Sequence, residues 1–270
     1  MNHLLRSHAP ITDIAWTQLD AEGRSRLVPA LAVRKLVDFS GPLGWKHSAT
    51  NLGRVSEIKA PGENLQARQR RVLALAELRA PFAISRQELL DADRGATDLD
   101  LTSLDSAARR IAVAENIAVF HGWAEAGIVG ITGATTHEPI VLGKDYASYP
   151  GHVAKAVEIL LEAGVSGPYG LALGPQEYTG VVETTEHGGL VVFDHLRQIL
   201  GGPIVWAPGV KGLVVLSLRG GDFLFESGED LCLGYSHHDP DTVHLYLEES
   251  FSFRVATPEA AVALTAGAVG

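Results

Sequence analysis

The sequence predicts an α+β fold, in which helices and strands are mixed without a repeating βαβ unit. Two observations support this prediction. From Val243 to Val255, apolar and polar side chains alternate, which is typical of one long strand with one buried face. Before it, segments with helical spacing alternate irregularly with short apolar runs, and no internal repeat is found.

The long strand is the most informative element of the chain. It is well beyond the usual length of about 5–6 residues. Its apolar register is broken at one position only, Glu249. An interior carboxylate needs a partner, because an unpaired buried charge is costly. The apolar side of this register comprises Val243, Leu245, Leu247, Phe251, Phe253 and Val255.

Composition excludes several classes of protein. The hydrophobic content of 46% and charged content of 20% are ordinary for a globular protein of 270 residues. The net charge of −10 argues against a nucleic-acid partner. The single cysteine, Cys232, excludes internal disulfides and cysteine-based metal sites, and it suits a reducing cytoplasm. We find no signal peptide and no apolar run long enough to span a membrane.

The N-terminal region predicts an amphipathic helix. Thr12 can cap it and Ile11 can act as the hydrophobic staple. We expect this helix to run toward Pro29, with an interruption or bend near Gly23. A short apolar segment, 31–39, follows it and ends in a turn.

Residues 47–80 predict a long hairpin. Its strand-like halves are 49–59 and 69–80, and a Pro-Gly turn at 60–64 joins them. Nothing in this segment suggests a core of its own, and an isolated two-stranded hairpin is marginal in water. We therefore expect it to lie on another surface, for which a second subunit is a candidate.

The middle of the chain carries clear helix signals. Ser85 to Glu88 forms one capping box, and Thr102 to Asp105 forms another that opens an Ala-rich helix ending near Gly122. Pro150 begins a further helix that ends at Gly164. The segments that follow are a strand at 169–173, a helix at 175–183, a loop at 184–190, a helix at 192–200 and a strand at 203–207.

Two motifs resemble ligand sites but favour simpler interpretations. Arg219 to Asp222 lacks the pattern of a phosphate loop and predicts a tight turn with an Arg–Asp pair. A second group precedes the long strand, and we interpret it as a solvated polar loop rather than a metal site. Its members are His237, His238, Asp239, Asp241 and His244.

The search for catalytic groups is negative. No serine sits in a GxSxG motif, and Cys232 lies in an apolar segment, where an inert core residue is the favoured interpretation. Glu183, Glu186 and His187 are a weak candidate for an acid/base group, since no pocket-forming motif accompanies them. The residues therefore predict a protein that is not an enzyme and has no metal or cofactor.

Motifs along nearly the whole chain, from about residue 3 to residue 265, resemble those of the encapsulins, the shell proteins of bacterial nanocompartments once described as linocin-type bacteriocins. Many ordered matches make the resemblance specific. They are His8-Ala9-Pro10-Ile11 with Trp16, Arg34-Lys35-Leu36-Val37-Asp38, Gly41-Pro42-Leu43-Gly44-Trp45, Leu78-Arg79-Ala80-Pro81-Phe82, Arg94-Gly95, Phe120-His121-Gly122 with Gly127 and Gly130, Gly167-Pro168-Tyr169, Arg219-Gly220-Gly221-Asp222-Phe223, and 228–255 with Gly234-Tyr235 and Glu249-Ser250-Phe251-Ser252-Phe253.

The resemblance implies a tailed-bacteriophage major-capsid fold. In this scheme, the extended hairpin loop lies over a neighbouring subunit, and the Ala-rich helix 103–121 is the spine helix of the peripheral domain. The implied divisions are an N-terminal helix and arm at 1–42, the hairpin loop at 43–80, the peripheral domain at 81–130 and 223–270, and the axial domain at 131–222.

The function that the resemblance implies is a self-assembling icosahedral shell of sixty equivalent copies or a larger multiple. Such a shell encloses cargo enzymes, such as a dye-decolourising peroxidase or a ferritin-like protein, that carry a C-terminal targeting peptide. It admits small molecules through pores. The implied location is a cytoplasmic nanocompartment, with neither nucleic acid nor membrane as a partner.

The resemblance also implies two sites. The cargo-docking surface would include Arg34 and Asp38. A pore would be lined by a loop whose acidic side chains and histidine favour small cations. Gln87 stands where some relatives have an aromatic residue against a flavin, so no flavin is predicted. The pore-lining residues are Glu183, Thr184, Thr185, Glu186, His187, Gly188 and Gly189.

Two alternatives are weaker. A hydrolase or secreted bacteriocin, the older label for relatives, would need a signal peptide or a nucleophile–base pair, and neither is found in the sequence. A capsid that packages DNA is disfavoured by the net charge of −10.

Overall fold

A computed structural model of the chain describes residues 3–186 and 189–266, and these residues form two five-stranded sheets, a separate two-stranded hairpin and seven α-helices. The helices are α1 (Asp13–Ala30), α2 (Arg86–Asp93), α3 (Thr102–Phe120), α4 (Ile131–Ala134), α5 (Tyr149–Glu162), α6 (Pro175–Glu183) and α7 (Val192–Leu200). The strands are β1 (Asp38–Ser40), β2 (Ala49–Ile58), β3 (Ala67–Ala74), β4 (Ala76–Ser85), β5 (Ile140–Leu142), β6 (Tyr169–Leu173), β7 (Ile204–Trp206), β8 (Leu213–Ser217), β9 (Phe223–Ser227), β10 (Cys232–His238), β11 (Thr242–Val255) and β12 (Ala261–Ala266).

The first sheet is organised around β11, the long strand predicted from sequence. Its strands follow the order β1-β9-β11-β10, and β4 also pairs with β11. The antiparallel ladder between β4 and β11 runs from Ser85 opposite Thr242 to Ala76 opposite Phe251. Helix α3 lies on this sheet and α1 lies on α3, so the Ala-rich helix is enclosed between the sheet and a second helix.

Both faces of β11 are buried in its middle, whereas the sequence predicted one polar face in solvent. Every residue from Leu245 to Phe253 is buried. The second face is covered by segments distant in sequence. His3 lies beside Glu248, and the Thr50 hydroxyl is 2.6 Å from that of Ser252. A polar face can be buried in this way because other polar groups pair with it.

The second sheet has the order β5-β12-β8-β6-β7. All residues of β6 and β8 are buried, and α5, α6 and α7 pack against this sheet. Strand β12 pairs with β8 from Ala261 opposite Leu216 to Leu264 opposite Leu213. Residues 261–266, which were expected to continue the peripheral domain, thus hydrogen-bond to the segment expected to be axial.

The hairpin consists of β2 and β3, which pair with each other and with no other strand in 3–186 or 189–266. The predicted second half, 69–80, is divided between two elements. Strand β3 ends at Ala74, and the next strand pairs with β11 in the main sheet. Alternate residues of that strand, Ala80, Phe82 and Ile84, are buried in the core. Residues 76–80 therefore lie in the sheet and not in the extended loop.

Helix α1 runs without interruption through Gly23, so the predicted break there is wrong. Gly23 is buried on the side that faces α3, where a Cβ atom would lie 3.8 Å from Leu104 Cδ1. The predicted cap is confirmed, because Thr12 Oγ1 accepts a hydrogen bond from Ala15 N at 3.2 Å.

The cap of α2 is the predicted serine, whereas the cap of α3 comes from a residue outside the predicted capping box. Ser85 Oγ accepts from Glu88 N at 3.3 Å, as predicted. Helix α3 begins at Thr102 itself, and Asp100 Oδ1 accepts from Thr102 N at 3.1 Å. The predicted Thr102–Asp105 box is therefore replaced by an aspartate cap from the preceding loop.

Candidate functional site

Arg34 lies at the centre of a buried charge cluster. It follows α1 in a short 3₁₀ turn, Val33–Lys35. Its guanidinium NH2 donates to Glu115 Oε2 at 2.9 Å and to Glu249 Oε2 at 3.1 Å, while NH1 contacts Asp230. Burial alone would lower the pKa of Arg34, but the three carboxylates raise it overall. Arg34 therefore stays charged and joins α3, β11 and the loop before β10.

Glu249 has the partner that its place in the apolar register requires. Its side chain is buried, as is that of Glu115 on α3. Burial, and then the nearby Glu115, raise the pKa of Glu249 well above its usual value, although Arg34 acts in the opposite direction. The Oε1 atoms of both glutamates lack a hydrogen-bond partner among the described residues.

A groove of about 470 Å³ lies beside this cluster, between α1 and the edge formed by β10 and β11. Its lining includes Arg6, Arg24, Arg34 and Asp230. The remaining lining residues are Asp20, Gly23, Leu27, Val28, Leu31, Leu231, Cys232, Leu233 and Leu247.

Arg6 lines the groove, and its guanidinium is held in a fixed orientation. Its NH2 donates to Asp20 Oδ2 at 2.7 Å, and its guanidinium lies 4.0 Å from the centroid of the Trp16 ring. Cation–π and bidentate contacts together hold an arginine in one geometry. Arg24 has an exposed side chain, so it leaves a positive charge at the rim.

Asp38 does not line this groove. It begins β1, and its Oδ2 accepts from Gly221 N at 2.6 Å. It borders a separate cleft of about 200 Å³ with Gly220 and Asp222. Of the two residues predicted for cargo docking, the structure brings only Arg34 to the groove at the N-terminal helix.

The predicted pore loop connects α6 to α7. Glu183 is the last residue of α6 and is exposed. Thr184 O accepts from Val192 N at 3.0 Å, and Thr185 forms a bridge with Val191. Gly189, with a φ of 82°, donates its N–H to Glu186 O. His187 and Gly188 lie outside the described residues. The two ends of the loop are therefore tied together by backbone hydrogen bonds.

Glu186 has a partner that the sequence analysis missed. Its Oε1 lies 2.7 Å from His195 Nδ1, in the first turn of α7. The sequence offered one signal for this contact. A histidine three positions into the helix that follows a short loop can face back toward that loop. The structure thus places an imidazole beside a carboxylate next to the predicted pore residues.

Only Asp239 and Asp241 of the predicted polar loop lie in the turn, because His237 and His238 end β10 and His244 is in β11. Asp239 Oδ1 accepts from Asp241 N at 2.9 Å and from Thr242 N at 2.8 Å. The rings of His237 and His244 stack with centroids 4.2 Å apart. Across 3–186 and 189–266, no group of three His, Cys, Asp or Glu side chains is spaced to hold a metal ion.

The turn at 219–222 matches its prediction, whereas Cys232 is half-buried at the start of β10 and is not the predicted core residue. Arg219 Nε donates to Asp222 Oδ2 at 2.9 Å, and NH2 donates to Oδ1 at 3.0 Å. This bidentate pair closes the turn between β8 and β9. Burial, followed by the charge of Glu229, raises the pKa of Cys232, which makes its thiol a poor nucleophile.

The fold has counterparts among solved capsids. A virus-like particle from Pyrococcus furiosus matches with a TM-score of 0.64 and 17% identity, over 92% of this chain and 98% of that chain. A structure titled "Capsid of empty GTA particle computed with C5 symmetry" matches with a TM-score of 0.54 and 15% identity, over 88% of this chain and 90% of that chain. These likenesses define the class of fold as that of tailed-phage major capsid proteins.

Sequence relatives give the family. A family model described as "Encapsulating protein for peroxidase" matches residues 1–252. A type 1 encapsulin shell protein of Rhodospirillum rubrum is 47% identical over 98% of this chain and 96% of its own length. One of Mycobacterium tuberculosis is 39% identical over 98% of this chain and its full length. The chain belongs to the encapsulin shell-protein family.

Proposed function

We propose that this chain is a self-assembling subunit that builds a closed icosahedral shell of sixty copies or a larger multiple. Membership of the encapsulin family and the capsid-type fold support self-assembly. The observation that carries the proposal is the β2–β3 hairpin, which has no further strand partner among the described residues of its own subunit.

The hairpin exposes apolar side chains on a two-stranded ribbon. Val55, Ile58, Leu65 and Val72 are each about half exposed. A ribbon of this kind is marginal in water, and clustered exposed apolar residues mark interaction surfaces. A neighbouring copy of the chain is the surface that a shell subunit always has available.

The test replaces residues 55–70 with Asn-Gly, a two-residue turn that suits antiparallel strands. Arg54 and Arg71 are opposite each other in the ladder, so the shortened hairpin can close without strain. We expect a folded subunit with native circular dichroism that forms no shells in size-exclusion chromatography or negative-stain microscopy. Glu63→Gln, at the tip of the intact hairpin, is the matched control and should assemble. Intact shells from the shortened chain would refute the hairpin's role.

We further propose that the groove beside α1 docks the C-terminal targeting peptide of a cargo enzyme, such as a dye-decolourising peroxidase or a ferritin-like protein. The family description, with its reference to peroxidase, supports a cargo of this kind. The groove suits an extended peptide whose apolar side chains pack on the apolar lining residues. An acidic group of the peptide would pair with Arg6 or Arg24. Arg34 lines this groove and would contact the peptide. Asp38 borders the separate cleft, so any contribution of Asp38 to docking would lie outside the groove.

Docking can be tested without disturbing the core. Val28 is exposed on the groove side of α1, so Val28→Asp should leave folding and assembly intact. A fluorescent protein that carries the targeting peptide should no longer co-purify with shells of this variant. Ile14→Asp is the control, since Ile14 has a similar exposure on the same helix but lies outside the groove. Equal cargo loading in both variants would show that the groove is not the docking site.

The loop from Glu183 to Gly189 is proposed to line a pore that favours small cations. The exposed Glu183 and the Glu186–His195 pair support this, because acidic side chains around an opening attract cations. Cobalt quenching of a fluorophore enclosed in the shell measures entry. Glu183→Lys should slow quenching, and Glu158→Lys on α5 should not. Equal rates in both variants would count against a pore at this loop.

The proposal assigns no reaction to the subunit itself, because its relatives are shell proteins. We place the shell in the cytoplasm as a nanocompartment, with neither nucleic acid nor membrane as its partner. No helix in the described part of the chain is long and apolar enough to cross a membrane.

A further inference from the structure

Three carboxylates surround one guanidinium in the joint between α1, α3 and β11. Glu115 is fully buried and Glu249 is 1% exposed, while the side chain of Asp230 is 38% exposed. The Oε2 atoms of both buried glutamates contact the same nitrogen, NH2 of Arg34. If all three acids were ionised, the cluster would carry two uncompensated negative charges. Two of the three carboxylates, Glu115 and Glu249, are shielded from water. Such a charge distribution is strongly unfavourable in a protein interior.

No second cation faces the pair from the described elements that pack around it. Lys35 is next in the turn, but its Nζ contacts Pro29 O at 3.1 Å. Arg79 on β4 donates to Glu248 Oε2, on the other face of β11. Asp230 and Cys232 approach from the β10 side, and neither can supply positive charge. The nearest side chain from β4 in the ladder is Leu78, opposite Glu249.

We propose that Glu115 and Glu249 share one proton at neutral pH, so that the pair carries a single negative charge and forms a proton-linked switch beneath the groove residue Arg34. One carboxyl group is then neutral and donates a hydrogen bond through its O–H, while the other accepts. This assignment provides a role for the two Oε1 atoms that lack a partner. It also reduces the cluster to two carboxylates, one of them partly in solvent, around one arginine.

The switch has a definite direction. Burial raises the pKa of Glu249, and the charge of Glu115 raises it further. An unfolded glutamate titrates near pH 4.3, at about its model-peptide value. Between these two values the folded state therefore holds one proton more than the unfolded state. The stabilisation is fully present below the unfolded pKa, and it is lost as pH rises toward the raised one.

The change in stability is measurable. A difference of one bound proton alters the folded-to-unfolded ratio about tenfold for each pH unit in this window. Above it, the second carboxylate repels the first and also Asp230. Because Arg34 and Asp230 line the groove and contact the cluster, the protonation state of the pair changes the electrostatic potential in the groove.

The closing experiment uses the full chain as assembled shells. Infrared spectra are recorded between about pH 5 and about pH 10. At neutral pH they should show the C=O stretch of a protonated carboxyl group, at a pH well above the one at which an ordinary glutamate loses its proton. The band should disappear on alkalinisation. In Glu249→Gln it should be absent, and the stability of that variant, from urea unfolding at each pH, should no longer show the tenfold change per unit.

Glu248→Gln is the matched control, because Glu248 is also 1% exposed on the same strand but is paired with Arg79. It should lower stability at every pH and leave the infrared band in place. If Glu249→Gln does not fold, Glu115→Gln provides the same comparison, and the wild-type spectrum needs no variant. A wild-type spectrum without the band at neutral pH would overturn the proposal, as would an unchanged pH slope in both glutamine variants.

Discussion

Asn116→Ala is expected to destabilise the subunit by about 3–5 kcal/mol, because one buried side chain joins three segments. Asn116 is fully buried on α3. Its Oδ1 accepts from Ala32 N at 3.1 Å and from Val33 N at 3.4 Å. Its Nδ2 donates to Ala30 O and to Pro208 O, each at 2.9 Å. The side chain therefore holds the end of α1, the turn that carries the charge cluster, and the loop after β7.

The magnitude follows from which of these four contacts have a substitute. Ala32 N also donates to Ala30 O at 3.0 Å, so these two groups keep one partner each. Val33 N and Pro208 O have no other partner in the described ranges. Each buried group left unpaired costs about 1–3 kcal/mol. The lost packing of the carboxamide adds to the cost of these two unpaired groups. The expected loss of unfolding free energy is therefore about 3–5 kcal/mol. A loss of this size is a large part of the stability of about 5–15 kcal/mol that is typical of a domain.

Urea unfolding followed by far-UV circular dichroism measures this loss. Asn116→Leu separates its two causes, since leucine keeps the volume but makes no hydrogen bond. It should be nearly as destabilising as alanine. Gln87→Ala, on the exposed face of α2, is the control and should stay within about 0.5 kcal/mol of the wild type. If Asn116→Leu were as stable as the wild type, the hydrogen bonds would not be the cause and the reasoning would fail.

Three further predictions concern other parts of the fold. Arg34→Met should cost about 3–5 kcal/mol in urea unfolding at neutral pH, because it leaves buried carboxylates without a cation; stability equal to the wild type would contradict this. Gly130→Ala should lower the thermal midpoint, since φ is 79° and a Cβ atom would overlap the Gly122 backbone, whereas Gly127→Ala, with φ of 70° and open space, should cost less. The thiol of Cys232 should react with a chromogenic disulfide only after unfolding at neutral pH, because burial raises its pKa; rapid labelling of the native shell would refute this.

Segments with strong local signals were predicted well. The sequence analysis predicted a helix at 175–183 and one at 192–200, and the structure has α6 and α7 at these bounds. Pro175 at the start of one helix and Gly201 after the other account for this accuracy. The family, too, could be recognised from motifs in sequence order.

Besides the local errors at Gly23 and Thr102, the assignments that depend on pairing between distant strands could not be made from the sequence. The second half of the hairpin continues past Ala74 in the sequence pattern, and only the ladder with β11 shows that 76–85 belongs to the main sheet. In the same way, only the ladder with β8 shows that β12 belongs to the second sheet. Register across a sheet depends on which partner is present, and that information is not contained in the segment itself.

The sequence by itself determined the long alternating strand, the bounds of α6 and α7, the caps of α1 and α2, and the single carboxylate in an apolar register. Only the tertiary structure decided what that carboxylate does. Glu249 lies far from Arg34 and Glu115 in the chain, and their meeting depends on the packing of α1 on α3 and of α3 on the sheet. A local pattern can show that a charge will be buried. The fold decides which distant side chains share its electrostatic cost and its proton.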